Sequence, residues 1–145
     1  MPYSRLFYHF VWATKERLPL ITEHNRESLY AAVTAKVKEF RGLCYALNGT
    51  SNHVHLVVSL PPAVSLAAFV GQVKGNASHL VSRLGEGQNL FAWQAEYGVV
   101  SVSESHLSTV TRYVQRQQHY HANDTTDVRL ENCGDGKADK ALCAK

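Results

Sequence analysis

Two histidines one pleat apart, and a tyrosine one helical turn from a glutamine, are the residues of this chain whose spacing could do chemistry. Ser51-Asn52-His53-Val54-His55-Leu56-Val57-Val58-Ser59-Leu60 alternates like a strand with one apolar face. Val54, Leu56, Val58 and Leu60 point one way; His53, His55, Val57 and Ser59 point the other. The period of two sets both imidazoles on one face, where they can hold a divalent cation if a third ligand arrives from elsewhere. In Tyr113-Val114-Gln115-Arg116-Gln117 the i, i+4 spacing puts the Tyr113 hydroxyl and the Gln117 amide on one helix face.

Imidazole with an amide oxygen, left open to a phosphate, suits Mg²⁺ or Mn²⁺. Zinc would want a cysteine or third histidine at good spacing, and Cys133 and Cys143 make a poor cage. No serine or cysteine sits in a recognisable nucleophile elbow, which leaves Tyr113. A phenol with an ordinary pKa of about 10 needs activation near a cation. The chemistry that fits is a metal-assisted phosphoryl transfer through a tyrosyl intermediate. A helical tyrosine among valines and a lone strand histidine are each more often packed core; the combination argues for a site.

The elements that must position these groups fit one domain of 145 residues. A hydrophobic fraction of 45% with 19% charged residues describes an ordinary globular chain. No apolar run reaches membrane-spanning length, and three cysteines without a pairing pattern point to the cytoplasm. Residues 1–122 carry eleven basic and seven acidic groups, a net +4, against −1 for the tail. A mildly basic body fits a polyanionic partner. Every acid before position 124 is Glu, so a carboxylate-rich cage is not available in the body.

Leu6 to Trp12 reads as a buried first strand. Its His9 is a packed strand histidine that an antiparallel register could bring beside His53 or His55. Lys15 and Arg17 follow in a polar connection, as phosphate contacts or as solvated loop charges. Thr22 caps a first helix of roughly twenty residues, with Gly42 at its C′ position. Leu43 to Leu47 forms a second strand with Cys44 as a small buried residue, and the turn at 48–52 leads into the histidine strand.

Ser65 caps a second helix whose apolar face runs from Leu66 to Leu84 and ends at Gly85. Gly71 and Gly75 cost about 1 kcal/mol each within it. Either a close nucleic acid or backbone, contacted by Lys74, or packing against another helix would account for them. Tyr97 to Ser103 is a fourth strand, and Ser103 or Ser105 caps a last helix bearing Tyr113, Gln117 and His121. The chain from Asn123 is polar and reads as a flexible tail outside the core. The order predicts an α+β, ferredoxin-like domain at 1–122: a four-stranded antiparallel sheet, two helices on one face, and a further helix bringing the tyrosine to the open face.

His53-Val54-His55 with Tyr113 and Gln117 resembles the single-tyrosine HUH transposases, which include small insertion-sequence transposases and REP-associated tyrosine transposases. The likeness takes in His9-Phe10-Val11-Trp12, Lys15, Asn52 to Leu60, Val73-Lys74-Gly75, Phe91-Ala92-Trp93-Gln94 and Tyr97-Gly98, and runs through Ser101 to His121. It implies a divalent metal held by His53, His55 and Gln117. It also implies attack of Tyr113 on single-stranded DNA, leaving a 5′-phosphotyrosine and a free 3′-hydroxyl. Partners would be DNA hairpins and a second subunit sharing the active sites. Lys15, Arg17, Lys74, Arg112 and Arg116 are candidate DNA contacts. Relatives usually continue after the tyrosine as Tyr-Ile-x-Asn-Gln-Glu-x-His-His. Here Arg116, Gln118 and Tyr120 replace the Asn, the Glu and the first His, and His121 could compete for the metal.

A histidine-triad hydrolase would need a third histidine where Val57 stands. An RNA-recognition domain would show aromatics in its nucleic-acid-binding strands, and His53-Val54-His55-Leu56-Val57-Val58 does not supply them. The serious alternative is an inactivated or domesticated relative that binds hairpin DNA or RNA without cutting.

Overall fold

The structure, a computed structural model, describes residues 3–84, 91–117 and 128–134. Elements follow in the order β1 (Phe7–Ala13), α1 (Arg26–Glu39), β2 (Leu43–Gly49), β3 (His53–Ser59), α2 (Leu66–Arg83), β4 (Gly98–Val102), α3 (Leu107–Gln115) and α4 (Val128–Glu131). The strands form an antiparallel sheet ordered β2-β3-β1-β4, the ferredoxin-like arrangement.

The alternation of β3 divides the molecule. Val54, Leu56, Val58 and Leu60 join Phe10, Trp12, Leu29, Val33, Val37, Phe69, Val70 and Val73 in the main core beneath α1 and α2. Full burial of such side chains contributes roughly 1.5–3 kcal/mol each. On the other face Val57 packs with Ala46, Tyr113 and Val114, so α3 covers the histidine side. The register sets Val11 opposite His55, Ala13 opposite His53 and His9 opposite Val57. His9 and His55 are therefore diagonal neighbours on one face.

Ser65 caps α2 by accepting from the Ala68 amide at 3.2 Å. Thr22 and Asn25 exchange side-chain bonds just ahead of α1, which is 14 residues long and not twenty. The left-handed residue after α1 is Arg41 (φ 62°), one position before the expected Gly42. Gly42 answers a different need: a Cβ there would lie 2.8 Å from the Ser59 carbonyl oxygen. Cys44 is exposed, because β2 is an edge strand and its register shifts between Cys44 and Ala46. Among the described residues, nothing packs against Gly71 or Gly75, so the other described helices are not what they serve.

Residues 128–134, assigned to the tail by composition, lie against the open face of the sheet. Cys133 is fully buried with Val11 and Ala13, and Leu130 packs on the cluster around Val57 and Tyr113. Gly98 admits this segment, since a Cβ there would overlap the Asn132 carbonyl oxygen. Among the described residues, no helix is long and apolar enough to cross a membrane.

Candidate metal and tyrosine site

The β2–β3 turn fixes the first imidazole. His53 Nδ1 lies 2.8 Å from Asn52 Oδ1 and 2.9 Å from the Thr50 hydroxyl. The amide oxygen only accepts, so Nδ1 carries the hydrogen, and in the neutral ring Nε2 turns its lone pair to the open face. Asn52 is itself anchored, its carbonyl accepting from the Thr14 amide at 2.9 Å. The second imidazole is fixed from β1: His9 Nε2 stands 2.8 Å from His55 Nδ1, with the rings stacked. Burial, reinforced by the neighbouring His55, pushes the His9 pKa down to about 3 and holds that ring neutral.

Opposite the pair stands a carboxylate. Glu131 Oε2 lies 3.1 Å from His55 Nε2 and 3.3 Å from His53 Nε2. Its other oxygen, Oε1, accepts from the Tyr113 hydroxyl at 2.7 Å and from Gln117 Nε2 at 2.9 Å. Gln117 is fully buried, and its Oε1 accepts no hydrogen bond among the described residues. The Tyr113 ring meets the edge of His55 at a centroid distance of 6.2 Å. All five side chains belong to one chain.

His53, His55 and Glu131 present ligand atoms within 4.8 Å of one another. Metal bonds of about 2.0–2.2 Å put neighbouring ligands about 3 Å apart, and both edges to Glu131 have that length. Two imidazoles, one carboxylate and a buried amide oxygen suit a divalent cation such as Mn²⁺.

His53, His55, Tyr113 and Gln117 thus come together as their spacing suggested. The candidate DNA contacts divide. Lys15, Arg112 and Arg116 are exposed, whereas Arg17 is half-buried with a guanidinium nitrogen 3.6 Å from Cys133 Sγ. Lys74 is turned inward: Nζ donates to the carbonyls of Gln94, Ala95 and Glu96 at 2.7–3.5 Å, and burial lowers its pKa. The Trp93 indole donates to the Lys74 carbonyl, completing a clamp between α2 and the approach to β4. His121 lies outside the described residues.

Sequence reasoning missed Glu131 and left the partner of His9 open. For Glu131 the available signal was Val128 and Leu130, an apolar pair in an otherwise polar stretch. A second signal was Gly98, a strand glycine marking close backbone approach.

A ferredoxin-like sheet carrying a histidine pair on its open face, with a tyrosine helix laid across it, defines the class. The chain belongs to the IS200-like transposase family, whose model matches residues 2–117. A crystal structure of a candidate transposase from Deinococcus radiodurans R1 superposes with a TM-score of 0.62 at 24% identity, covering 81% of this chain and 95% of the other. A REP-associated tyrosine transposase bound to a REP hairpin superposes with a TM-score of 0.63 at 13% identity, covering 87% and 76%. At these identities the superpositions speak for the fold. No curated protein matches the chain.

Proposed function

We propose that this transposase-family chain cuts and rejoins single-stranded DNA beside hairpins through a 5′-phosphotyrosine at Tyr113. The observation that carries the reading is the convergence of the Tyr113 hydroxyl and both histidine Nε2 atoms on one carboxylate. His53 and His55 would hold a divalent ion, Mg²⁺ or Mn²⁺, with Gln117 the third ligand that the family resemblance implies. Held there, such an ion would supply the positive charge that polarises a scissile phosphate and offsets its developing charge.

The chain's own groups do the rest. Glu131 Oε1 receives the phenol proton, for which it is already the acceptor. The Tyr113 oxygen bonds to phosphorus as the P–O3′ bond breaks, and the leaving 3′ oxygen takes up a proton to become a hydroxyl. Attack by a 3′-hydroxyl on the phosphotyrosine reverses the sequence and joins strands, so no ATP is consumed. Exposed Lys15, Arg112 and Arg116 are suited to phosphates of the folded strand. The hairpin in the REP-associated neighbour supports a hairpin partner here. A homodimer with shared active sites is the assembly that the resemblance implies.

The test incubates the protein with Mg²⁺ or Mn²⁺ and single-stranded hairpins from its genomic flanks, and resolves protein–DNA adducts on a denaturing gel. An adduct that requires metal and disappears in Tyr113→Phe is expected. Hairpin binding with no adduct under either metal would replace this reading with the non-cutting one.

A further inference from the structure

We infer that Glu131, from the segment beyond the family-matched residues, is the third metal ligand of this chain, and that Gln117 is a positioning residue behind it. The inference rests on the proposed metal-dependent site and changes its ligand set. Three observations carry it.

First, the two oxygens of Glu131 have different neighbours. Oε2 makes the edges to His55 Nε2 and His53 Nε2, at 3.1 and 3.3 Å. These are the separations of adjacent ligands around one ion with bonds of about 2.0–2.2 Å. Gln117 donates to Oε1, the oxygen on the other side of the carboxylate.

Second, Gln117 shows Glu131 its amide nitrogen, which is a donor and cannot ligate. The geometry is that of an outer residue orienting a ligating carboxylate, a role that Asn52 plays for His53 and His9 for His55.

Third, the pose suits a cation. In its metal-binding form His53 carries hydrogen on Nδ1, so its Nε2 lone pair faces a carboxylate oxygen at 3.3 Å. An ion between them turns that repulsion into two bonds. The placement is also built in: Cys133 is buried two residues on, and Gly98 makes room for Asn132. One carboxylate then joins the ion on one oxygen to Tyr113 and Gln117 on the other, tying metal occupancy to the position of the tyrosine.

The test measures Mn²⁺ binding to the full chain by electron paramagnetic resonance, without DNA. Affinity is expected to fall further in Glu131→Ala than in Gln117→Ala, where loss of an orienting residue costs about 10- to 100-fold. Double-resonance spectra of protein carrying ¹³C at its glutamate carboxyls add a direct signature. A ¹³C coupling should appear in the parent and in Gln117→Ala and vanish in Glu131→Ala, while the histidine ¹⁴N couplings persist. That persistence also shows that the variant still folds its site. Equal or tighter binding by Glu131→Ala would overturn the inference and make the carboxylate a plug. So would a parent spectrum with ¹⁴N couplings and no ¹³C coupling, or a ¹³C coupling lost in Gln117→Ala instead. No Mn²⁺ binding by the parent would overturn the metal-dependent reading itself.

Discussion

The hydroxyl of Tyr113 donates to Glu131 Oε1 across 2.7 Å, joining α3 to a segment 18 residues further along the chain. The bond sets the phenol oxygen beside a base on the face where the two histidine Nε2 atoms emerge. Tyr113 itself is buried, so the bond is shielded from water. A hydrogen bond to a charged group contributes about 1.5–3 kcal/mol, less when the acceptor keeps other donors, as Glu131 does. Tyr113→Phe should therefore lower stability by about 1–2 kcal/mol in urea unfolding with EDTA present. No change in stability would mean that the phenol is not held by Glu131 in solution.

The His9–His55 pair predicts a pH-dependent fold. His9 takes up a proton near 6.5 when unfolded but only near 3 when folded, chiefly because burial penalises the charged ring. Between those values the unfolded chain binds more protons, so stability rises with pH and is lost as pH falls. The full contribution is present above about 6.5, and it declines by about 1.4 kcal/mol per pH unit on acidification. Comparing stability–pH curves of the parent and His9→Phe, both in EDTA, isolates it. The parent curve should be the steeper between pH 6.5 and 4; parallel curves would place His9 in contact with water.

Gly98 controls whether the segment bearing Glu131 can dock. A methyl group there would overlap the Asn132 carbonyl oxygen and approach the Val11 side chain at Cγ1 to 3.1 Å. Gly98→Ala should thus release residues 128–134 and expose Cys133, which is fully buried in the parent. Thiol titration is expected to show one more fast-reacting cysteine than the parent, in which Cys44 is already exposed. An unchanged count would show that the segment docks without needing the glycine.

How much of this was legible in the sequence follows from where the signal lay. The two faces of β3 were readable because the period of two separates four aliphatic residues from the histidines. Burial on both sides of the sheet follows that division. Tyr113 and Gln117 were readable as a pair, yet α3 ends at Gln115 and Gln117 lies past its cap at Arg116, so helical spacing alone did not set its orientation. Glu131 was not readable. Its position depends on docking without side-chain periodicity, through a glycine on β4 and a single buried cysteine. The end of α1 misled by one residue: a glycine after a helix usually signals the left-handed cap, but Gly42 is needed for its close approach to Ser59 and Arg41 takes the positive φ.

The basic side chains separate into two groups with different expected behaviour toward DNA. Each phosphate neutralised on a single strand steepens the fall of log affinity with log salt by about 0.7. Lys15, Arg112 and Arg116 are exposed, so replacing any one of them with Ala should weaken hairpin binding and flatten that slope by about one contact. Lys74 spends its donors on the carbonyls of Gln94, Ala95 and Glu96. Lys74→Met keeps the aliphatic stem and strands those acceptors, for an expected loss of about 1–2 kcal/mol in stability. Hairpin affinity of the folded fraction should keep its parental salt slope. Fluorescence anisotropy at several salt concentrations, paired with urea melts, tests both halves. A flattened slope in Lys74→Met with unchanged stability would move Lys74 from the clamp to the DNA interface.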